Sequence, residues 1–355
     1  MKNIKKQHLG LTMVELLVAM AISLVVVLAA VYVYLSSTEA QRAQDRNTSS
    51  NETGAFAMQL LGRAIMNAGF YPATVAPIPV DAAQYGMYDT YPPIPSIPRV
   101  ITDWANPADN WPPTAFQSGV FGCDGAKLNV QTSTCDTAVA NAPDTLVINY
   151  FTNDAMGSAT GTRADCTGSD VAGDTRNAER NKNSAGVTIT TGPPRLPLFG
   201  SNRYTLNNVN LFVGQSAVAT KSLACSGNGS SPHGTANAAA YQPMLAGVED
   251  MQFAYGVYSS ETSLSPDQFY TATQVSALTV ATLNGLPLTG WQRVVSIRVC
   301  ILTKTLSGNT RLADASGSLR TYVDCSGTTK NQPTGETFTR FVQVFGVRNN
   351  LKQSY

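Results

Sequence analysis

The chain has 355 residues, with 24 basic and 23 acidic side chains and a formal net charge of +1. This length is sufficient for a globular domain with a substantial hydrophobic core. A chain so close to neutrality lacks the basic electrostatic field that nucleic-acid binding normally requires. We therefore expect no specific binding of nucleic acid.

The chain begins with a short basic leader, residues 1–10, in which three lysines precede Gly10. An apolar run follows at 16–35, in which only Ser23 is clearly polar. This run has the length that a helix needs to span a bilayer, whereas the apolar core of a cleaved secretory signal has only about 7–15 residues. Basic residues on its N-terminal side place that end in the cytoplasm. Residues 11–35 are therefore predicted to be a transmembrane helix.

A single carboxylate, that of Glu15, lies in the first turn of this predicted helix. An acidic side chain is expensive in lipid, by roughly 2.5–3.5 kcal/mol at the centre of a helix, so its presence requires a reason. Thr12 and Glu15 have the spacing of a capping box, in which the two residues satisfy each other's backbone amides. This local explanation accounts for both residues but leaves Gly10 and the lysine leader unexplained.

The lysine leader, Gly10 and the following Leu-Thr-Met-Val-Glu-Leu-Leu-Val-Ala resemble the N-terminus of type IV prepilins. The resemblance implies cleavage between Gly10 and Leu11 by the prepilin peptidase/N-methyltransferase, followed by methylation of the new amine of Leu11. It also implies that Glu15 attracts the N-terminal amine of a neighbouring subunit during assembly. Leu11 replaces the phenylalanine that is most common at this position of the family, which tolerates aliphatic residues there.

The helix is predicted to continue beyond the membrane as an amphipathic segment, residues 36–70. No proline interrupts it before Gly69 and Pro72, which form a helix stop signal. The polar stretch at 48–53 leaves open a break between two helices. Further on, apolar side chains recur every three to five residues and define one face: Phe56, Leu60, Leu61, Ala64, Ile65 and Ala68.

Residues 71–143 are predicted to be a proline-rich loop insertion, because their eleven prolines disfavour both helix and central strand. The insertion is also rich in aromatic side chains, which either form a contact surface for a partner or fold the insertion back onto its own domain. The second interpretation is favoured for a loop of this length. The aromatic residues are Tyr85, Tyr88, Tyr91, Trp104, Trp111 and Phe116.

Residues 144–355 are predicted to form a globular head built on an antiparallel β-sheet. One face of this sheet is expected to pack on the apolar face of the helix. A long helix on an antiparallel sheet belongs to the α+β class, and the prepilin resemblance implies a pilin-like fold. The strands are predicted from hydrophobic alternation or apolar runs at 145–151, 251–258, 291–304, 338–347 and, more weakly, 206–213. In the run at 338–347, Phe341 and Phe345 are expected on one face and Val342 and Val344 on the other.

The head contains five short motifs in a fixed order: Asp165-Cys166-x-Gly168, Leu223-x-Cys225, Leu245-x-Gly247-Val248-Glu249-x-Met251-x-x-x-Tyr255-Gly256, Trp291-x-x-Val294 and Val347-Arg348-Asn349. Their order resembles the PilW group of minor pilins. This resemblance implies a specialised subunit that helps to prime pilus assembly and lies at or near the pilus tip.

All six cysteines follow the apolar segment, which suggests disulfides formed in an oxidising compartment. Buried free thiols or a metal site are the alternatives, but the absence of a Cys-x-x-Cys pair and the presence of only two histidines argue against zinc. Sequence alone does not fix the pairing. Spacing favours Cys123 with Cys135 and Cys300 with Cys325, which leaves Cys166 with Cys225.

No catalytic or metal-binding constellation is evident in the sequence. His233 lies in a turn-rich segment and His8 belongs to the leader, so neither a Ser-His-Asp triad nor a histidine metal site is predicted. Asp165, Asp170 and Asp174 lack the spacing of a known calcium loop. The sequence therefore predicts no catalytic residue, no metal ligand and no cofactor.

We expect a minor pilin of a type IV pilus and not an enzyme. Its expected partners are the prepilin peptidase/N-methyltransferase, other minor pilins, the major pilin, the inner membrane and a tip adhesin. Before assembly it would be a single-pass inner-membrane protein with a periplasmic head, and afterwards part of the pilus at the cell surface. The alternatives are a minor pseudopilin of a type II secretion system, a tip adhesin or DNA-capture pilin, and a signal-anchored periplasmic hydrolase.

Overall fold

The computed structural model describes residues 12–70, 119–129, 134–151, 164–171, 199–213, 216–229, 241–259, 265–283, 286–305, 320–333 and 336–348. The chain divides into two compact units, Met1–Ser49 and Ser50–Tyr355, and each is described by itself. The described elements, in chain order, are α1 (Met13–Asn67), β1 (Val120–Cys123), β2 (Leu128–Asn129), β3 (Thr134–Cys135), β4 (Thr145–Phe151), β5 (Phe199–Val213), β6 (Ser216–Gly227), β7 (Gln242–Ala246), β8 (Val248–Val257), β9 (Gln268–Tyr270), α2 (Ala272–Ala277), β10 (Ala281–Leu283), β11 (Leu286–Leu288), a 3₁₀ turn (Trp291–Arg293), β12 (Val294–Lys304), β13 (Thr321–Val323), β14 (Thr329–Asn331) and β15 (Phe338–Gly346).

Helix α1 is continuous over 55 residues. The polar stretch at 48–53 is helical throughout, so the alternative of two helices separated by a break is wrong. The helix ends where the stop signal predicts. Gly69 has a φ of 69°, a conformation that glycine adopts readily, and the N–H of Phe70 donates to the carbonyl of Asn67 at 3.1 Å.

The chain leaves the end of α1 and returns to the fold at nearly the same point. The N–H of Gly69 donates to the carbonyl of Asn149 at 2.8 Å, and the N–H of Asn149 donates to the carbonyl of Gly119 at 2.9 Å. A Cβ atom on Gly119 would lie 2.2 Å from the backbone nitrogen of Gly69, so this close approach requires glycine. Residues 71–118, with the aromatic side chains of the predicted insertion, lie outside the described residues.

The strands form two main antiparallel sheets instead of the single sheet that the sequence predicts. Sheet 1 has the order β1-β4-β5-β6-β7 and sheet 2 the order β15-β12-β8-β9. Strand β1 is buried along its whole length and lies inside the segment 71–143 that was expected to be a loop, so the boundary at 143 is too late. With only four residues, β1 is too short to show a reliable alternation.

Gly247 connects the two sheets. It is the single residue between β7 of sheet 1 and β8 of sheet 2, and its φ of 87° lies in the left-handed region. Its N–H donates to the carbonyl of Lys221 at 2.9 Å, and its carbonyl accepts from the N–H of Lys304 at 2.8 Å. Because glycine adopts this conformation without strain, one residue suffices to carry the chain from one sheet into the other.

The last part of α1 supplies one wall of the main hydrophobic core. Leu61 and Ile65 are fully buried there among side chains of both sheets. Phe56 departs from the predicted apolar face, since its side chain is 53% exposed. It borders a groove of about 430 Å³ that α1 and sheet 1 leave open, which Arg63 and Tyr150 also line.

Two glycines let α1 pack closely on β15, one of the two edge strands of sheet 2. A Cβ atom on Gly54 would lie 2.2 Å from the ring of Phe341, and one on Gly62 would lie 2.4 Å from the ring of Phe345. The two phenylalanines therefore lie directly on the helix backbone. The alternation along β15 places both phenylalanines on one face of the strand, but the sequence alone indicates no packing role for the glycines.

Candidate processing and assembly site

The first turn of α1 brings the two predicted assembly residues together. Oε2 of Glu15 accepts hydrogen bonds from the N–H of Thr12 at 2.9 Å and from the Thr12 hydroxyl at 3.0 Å. The N–H of Glu15 in turn donates to Oγ1 of Thr12 at 3.3 Å. This is the reciprocal geometry of a capping box. Gly10 and Leu11 lie outside the described residues, so their processing stays a prediction.

The helix behind this turn can span a membrane. Residues Met13–Thr38 have a mean hydropathy of 2.9, and none of the most apolar window is buried by the rest of the chain. Two of its hydroxyl groups bond to carbonyls of the same helix: Ser23 to Met20 at 2.9 Å and Thr38 to Leu35 at 2.8 Å. These bonds satisfy polar groups that lipid would leave without partners. The segment therefore fits a membrane anchor.

The head contains three disulfides and no free cysteine. They join the same pairs that loop spacing favours. One links β1 to β3, one links β6 of sheet 1 to a nearby turn, and one links β12 of sheet 2 to another turn. The pairs are Cys123–Cys135, Cys166–Cys225 and Cys300–Cys325.

The last two disulfides hold the same kind of turn, with the sequence Asp-Cys-(Ser/Thr)-Gly-(Ser/Thr). It begins once at Asp165 and once at Asp324. In both turns Oδ1 of the aspartate accepts three bonds: the N–H and the hydroxyl of the residue two positions later, and the N–H of the residue four positions later. Gly168 and Gly327 have nearly equal φ values of 82° and 83°. Each sheet thus carries one aspartate-centred turn that a disulfide ties to a strand.

The Asp324 turn gives a test of the aspartate's role. Asp324→Ala removes the acceptor and should lower the free energy of unfolding by about 1–2 kcal/mol. Asp324→Asn should lose less than half of that, because its amide oxygen still accepts the N–H bonds and only the pairing with the half-exposed Lys330 is lost. The measurement is urea denaturation of the purified chain in detergent. Equal losses in the two variants would contradict this role.

The pKa of Asp324 predicts how this contribution depends on pH. Burial raises the pKa, but the hydrogen bonds from Lys330, Ser326 and Thr328 outweigh burial and lower it to about 2. A lowered folded-state pKa gives stability that is present above the unfolded-state pKa of about 4 and is lost as the pH falls toward 2. The difference in the free energy of unfolding between wild type and Asp324→Asn should therefore decrease as the pH falls from about 4 toward 2.

Glu249 ties sheet 1 to sheet 2 beside the Gly247 connection. Its Oε1 accepts from the hydroxyl of Thr220 at 2.6 Å and from the N–H of Lys221 at 3.2 Å. Lys304 on β12 lies 4.0 Å from the same oxygen and makes a shorter ion pair of 2.6 Å with Glu336. The sequence pattern alone gives the Glu249 carboxylate no role beyond its place in the PilW-like motif. The residues of the PilW-like motif around Gly247 and Glu249 thus form the connection between the sheets.

Asp144 makes a second, buried connection between the sheets. It precedes β4, and its side chain accepts the N–H of Gly125 at 2.7 Å through Oδ1 and the N–H of Phe253 on β8 at 2.8 Å through Oδ2. Its own N–H donates to the carbonyl of Met251 at 2.9 Å. Burial raises the pKa of Asp144 to about 7, although the two N–H bonds act in the opposite direction.

The acidic groups of the described head residues are used in structural contacts. Within those residues no group of three or more His, Cys, Asp or Glu side chains is arranged to hold a metal ion. Asp165, considered as a calcium ligand, has both oxygens engaged, since its Oδ2 also accepts the N–H of Gly229 at 3.0 Å. Asp174 and His233 lie outside the described part of the chain. The described residues can thus anchor the chain in a membrane, cap its helix and hold the two sheets of the head together.

Two protein-family models match this chain, one at the start of the apolar helix and one in the head. The family model for the prokaryotic N-terminal methylation motif matches residues 5–31, and the model for type IV pilus-assembly protein W, PilW, matches residues 210–349. The first match contains the Thr12–Glu15 turn, and the second contains the Gly247 connection and β15.

Similarity to individual proteins is weak. No curated protein sequence matches the chain. Among solved structures, the chain is similar to a type IV-like pilin from Thermus thermophilus, at 11% sequence identity and a TM-score of 0.25, over 60% of this chain and 82% of that one. A TM-score this low carries no argument about the fold. The methylation motif in front of an apolar helix, followed by a match to the PilW family model in an α+β head, supports a PilW-like type IV pilin.

Proposed function

We propose that the chain is a minor pilin that is cleaved between Gly10 and Leu11, methylated on Leu11 and incorporated at or near the pilus tip to prime assembly. The observation that carries the proposal is the Thr12–Glu15 turn at the mouth of a fully exposed apolar helix. Its role is structural: the helix packs against the helices of neighbouring subunits, and the head contacts other minor pilins and the major pilin.

The geometry suggests how Glu15 serves both the free and the assembled subunit. In the free chain its carboxylate is satisfied by its own helix start, through the N–H and hydroxyl of Thr12. A carboxylate in lipid still attracts a cation, and the methylated amine of an adjacent subunit is one. Assembly would then replace local hydrogen bonds with an ion pair between subunits.

Cysteine usage and the PilW match support the remaining parts of the proposal. Disulfides form in oxidising compartments, and all three lie beyond the apolar helix, which supports a periplasmic head and a cytoplasmic N-terminus. The match to a pilus-assembly family favours a pilus over the pseudopilus of a secretion system.

The test separates the charge of Glu15 from its capping role. Glu15→Gln keeps the capping geometry but removes the charge, whereas Glu15→Ala removes both. Both variants should be cleaved, and both should fall at least about tenfold in the sheared pilus fraction, since an ion pair in a membrane is worth more than about 1.4 kcal/mol. The measurement is immunoblotting of membrane and pilus fractions, with Thr12→Ser as the matched control that keeps the cap. Normal incorporation of Glu15→Gln would leave Glu15 with a capping role only.

A further inference from the structure

Strand β15 lies at one end of sheet 2, so only one of its two edges is paired. It pairs with β12 in an unbroken register from Ser296 with Gly346 to Lys304 with Phe338. It therefore forms a straight edge along the whole strand, without the bulge that often protects a sheet edge.

The hydrogen bonds beyond each end of the strand show which backbone groups point outward. The N–H of Thr305 donates to the carbonyl of Thr337 at 2.9 Å, and the N–H of Val347 donates to that of Val295 at 2.8 Å. Because bonded residues alternate along an antiparallel ladder, the odd-numbered residues of β15 bond to β12. The backbone groups of Val342 and Val344 consequently point away from the sheet. Among the described residues none bonds to them.

The centre of this edge, residues 341–345, carries no charged side chain that would protect it. Val342 and Val344 are 49% and 51% exposed, and β15 contains neither proline nor lysine. On its other face β15 lies against α1, where its phenylalanines contact the helix glycines. An exposed, unbroken and largely apolar edge of this kind is a template for a further strand.

Three arginines surround the exposed valines. Arg340 is exposed on β15 itself, Arg298 pairs with Val344 from β12, and Arg348 follows the strand. The guanidinium of Arg298 lies over the ring of Phe269 at 5.1 Å. No ion pair involves these arginines within the part of the chain that the structure describes. The edge therefore favours an apolar strand that carries carboxylates at its ends.

We propose that the outer edge of β15 accepts an extended strand from the head of another pilin subunit, with apolar side chains beside Val342 and Val344 and carboxylates near the arginines. The inference rests on the proposed assembly role. The donor is a different strand and not a second β15. Strand β15 itself carries Arg340 and no acidic residue, so a second β15 would bring a like charge to the arginines instead of carboxylates.

Proline substitution tests the edge without disturbing the sheet. Val344→Pro removes an N–H that points outward, so the ladder to β12 stays intact and the purified variant should melt within a few degrees of wild type. It should be cleaved normally but fall at least tenfold in the pilus fraction. The matched control Val344→Thr keeps the N–H and a β-branched side chain, and it should be incorporated like wild type.

Hydrogen exchange on the unmodified protein gives a second measurement that does not depend on the folding of a variant. In the free chain the amides of Val342 and Val344 should exchange rapidly, while that of Gln343, which bonds to β12, is protected. In assembled pili all three should be protected. Normal incorporation of Val344→Pro, or rapid exchange of Val342 and Val344 in pili, would overturn the inference and leave the proposed function standing. Absence of the wild-type chain from pili would refute both.

Discussion

Replacing Gly54 and Gly62 together with alanine is expected to destabilise the head by roughly 3–4 kcal/mol. Added Cβ atoms would approach the rings of Phe341 and Phe345 to 2.2 and 2.4 Å. Such overlap costs up to about 3 kcal/mol at each site, because the ring must move and lose its packing. Helix propensity acts in the opposite direction, since alanine in place of glycine stabilises a helix by only about 1 kcal/mol per site.

The sign of the change decides between these two effects. If α1 did not pack on β15 through the glycines, the double variant would be about 2 kcal/mol more stable than wild type. Ala55→Gly is the matched control, because residue 55 is exposed and should report propensity alone, with a loss of about 1 kcal/mol. A cycle of Gly62→Ala with Phe345→Ala, measured by urea denaturation, should show that the phenylalanine contributes less once alanine occupies position 62.

Loss of the Asp144 carboxylate is expected to destabilise the head by about 3–4 kcal/mol in Asp144→Ala. The substitution would leave the N–H groups of Gly125 and Phe253 without an acceptor in a buried site, at about 1–3 kcal/mol each. Asp144→Asn should also destabilise, because one of its two terminal groups is a donor and would face one of these N–H groups.

The pH dependence of Asp144 has the opposite sign to that of Asp324. Burial raises its pKa from an unfolded-state value near 4 to about 7. A raised folded-state pKa of an acid means that its stabilising contribution is complete below about pH 4 and is lost as the pH rises through 7. The destabilisation caused by Asp144→Asn should therefore be about 2–3 kcal/mol larger at pH 5 than at pH 8. A larger effect at pH 8 would show that the two N–H bonds outweigh burial.

The sequence predicted the features that depend on local pattern. The apolar run, the stop at Gly69 and the capping turn of Thr12 and Glu15 each arise from residues close together in the chain. The long strands β8, β12 and β15 alternate clearly enough to be located. The two phenylalanines of β15 were correctly placed on one face, although the surface that they contact was not identified.

The features that were missed depend on contacts between distant segments. Gly54 and Gly62 resemble weak points of a helix until β15 is placed on them. The division into two sheets depends on the left-handed φ of Gly247. A single glycine between two strands in the sequence does not predict that conformation. Glu249 could have been noticed as a carboxylate one residue inside a strand. The repeated turn at Asp165 and Asp324 is visible in the printed sequence, and a search for short internal repeats would have found it.

We propose that this chain is processed and assembled as a pilin subunit. Mass spectrometry of the N-terminal peptide from native protein is the decisive measurement. We expect a mature chain that begins at N-methylated Leu11, and we expect Gly10→Ala to retain the leader. An N-terminus at Met1 or at any residue other than Leu11, or mature-sized protein from Gly10→Ala, would contradict it.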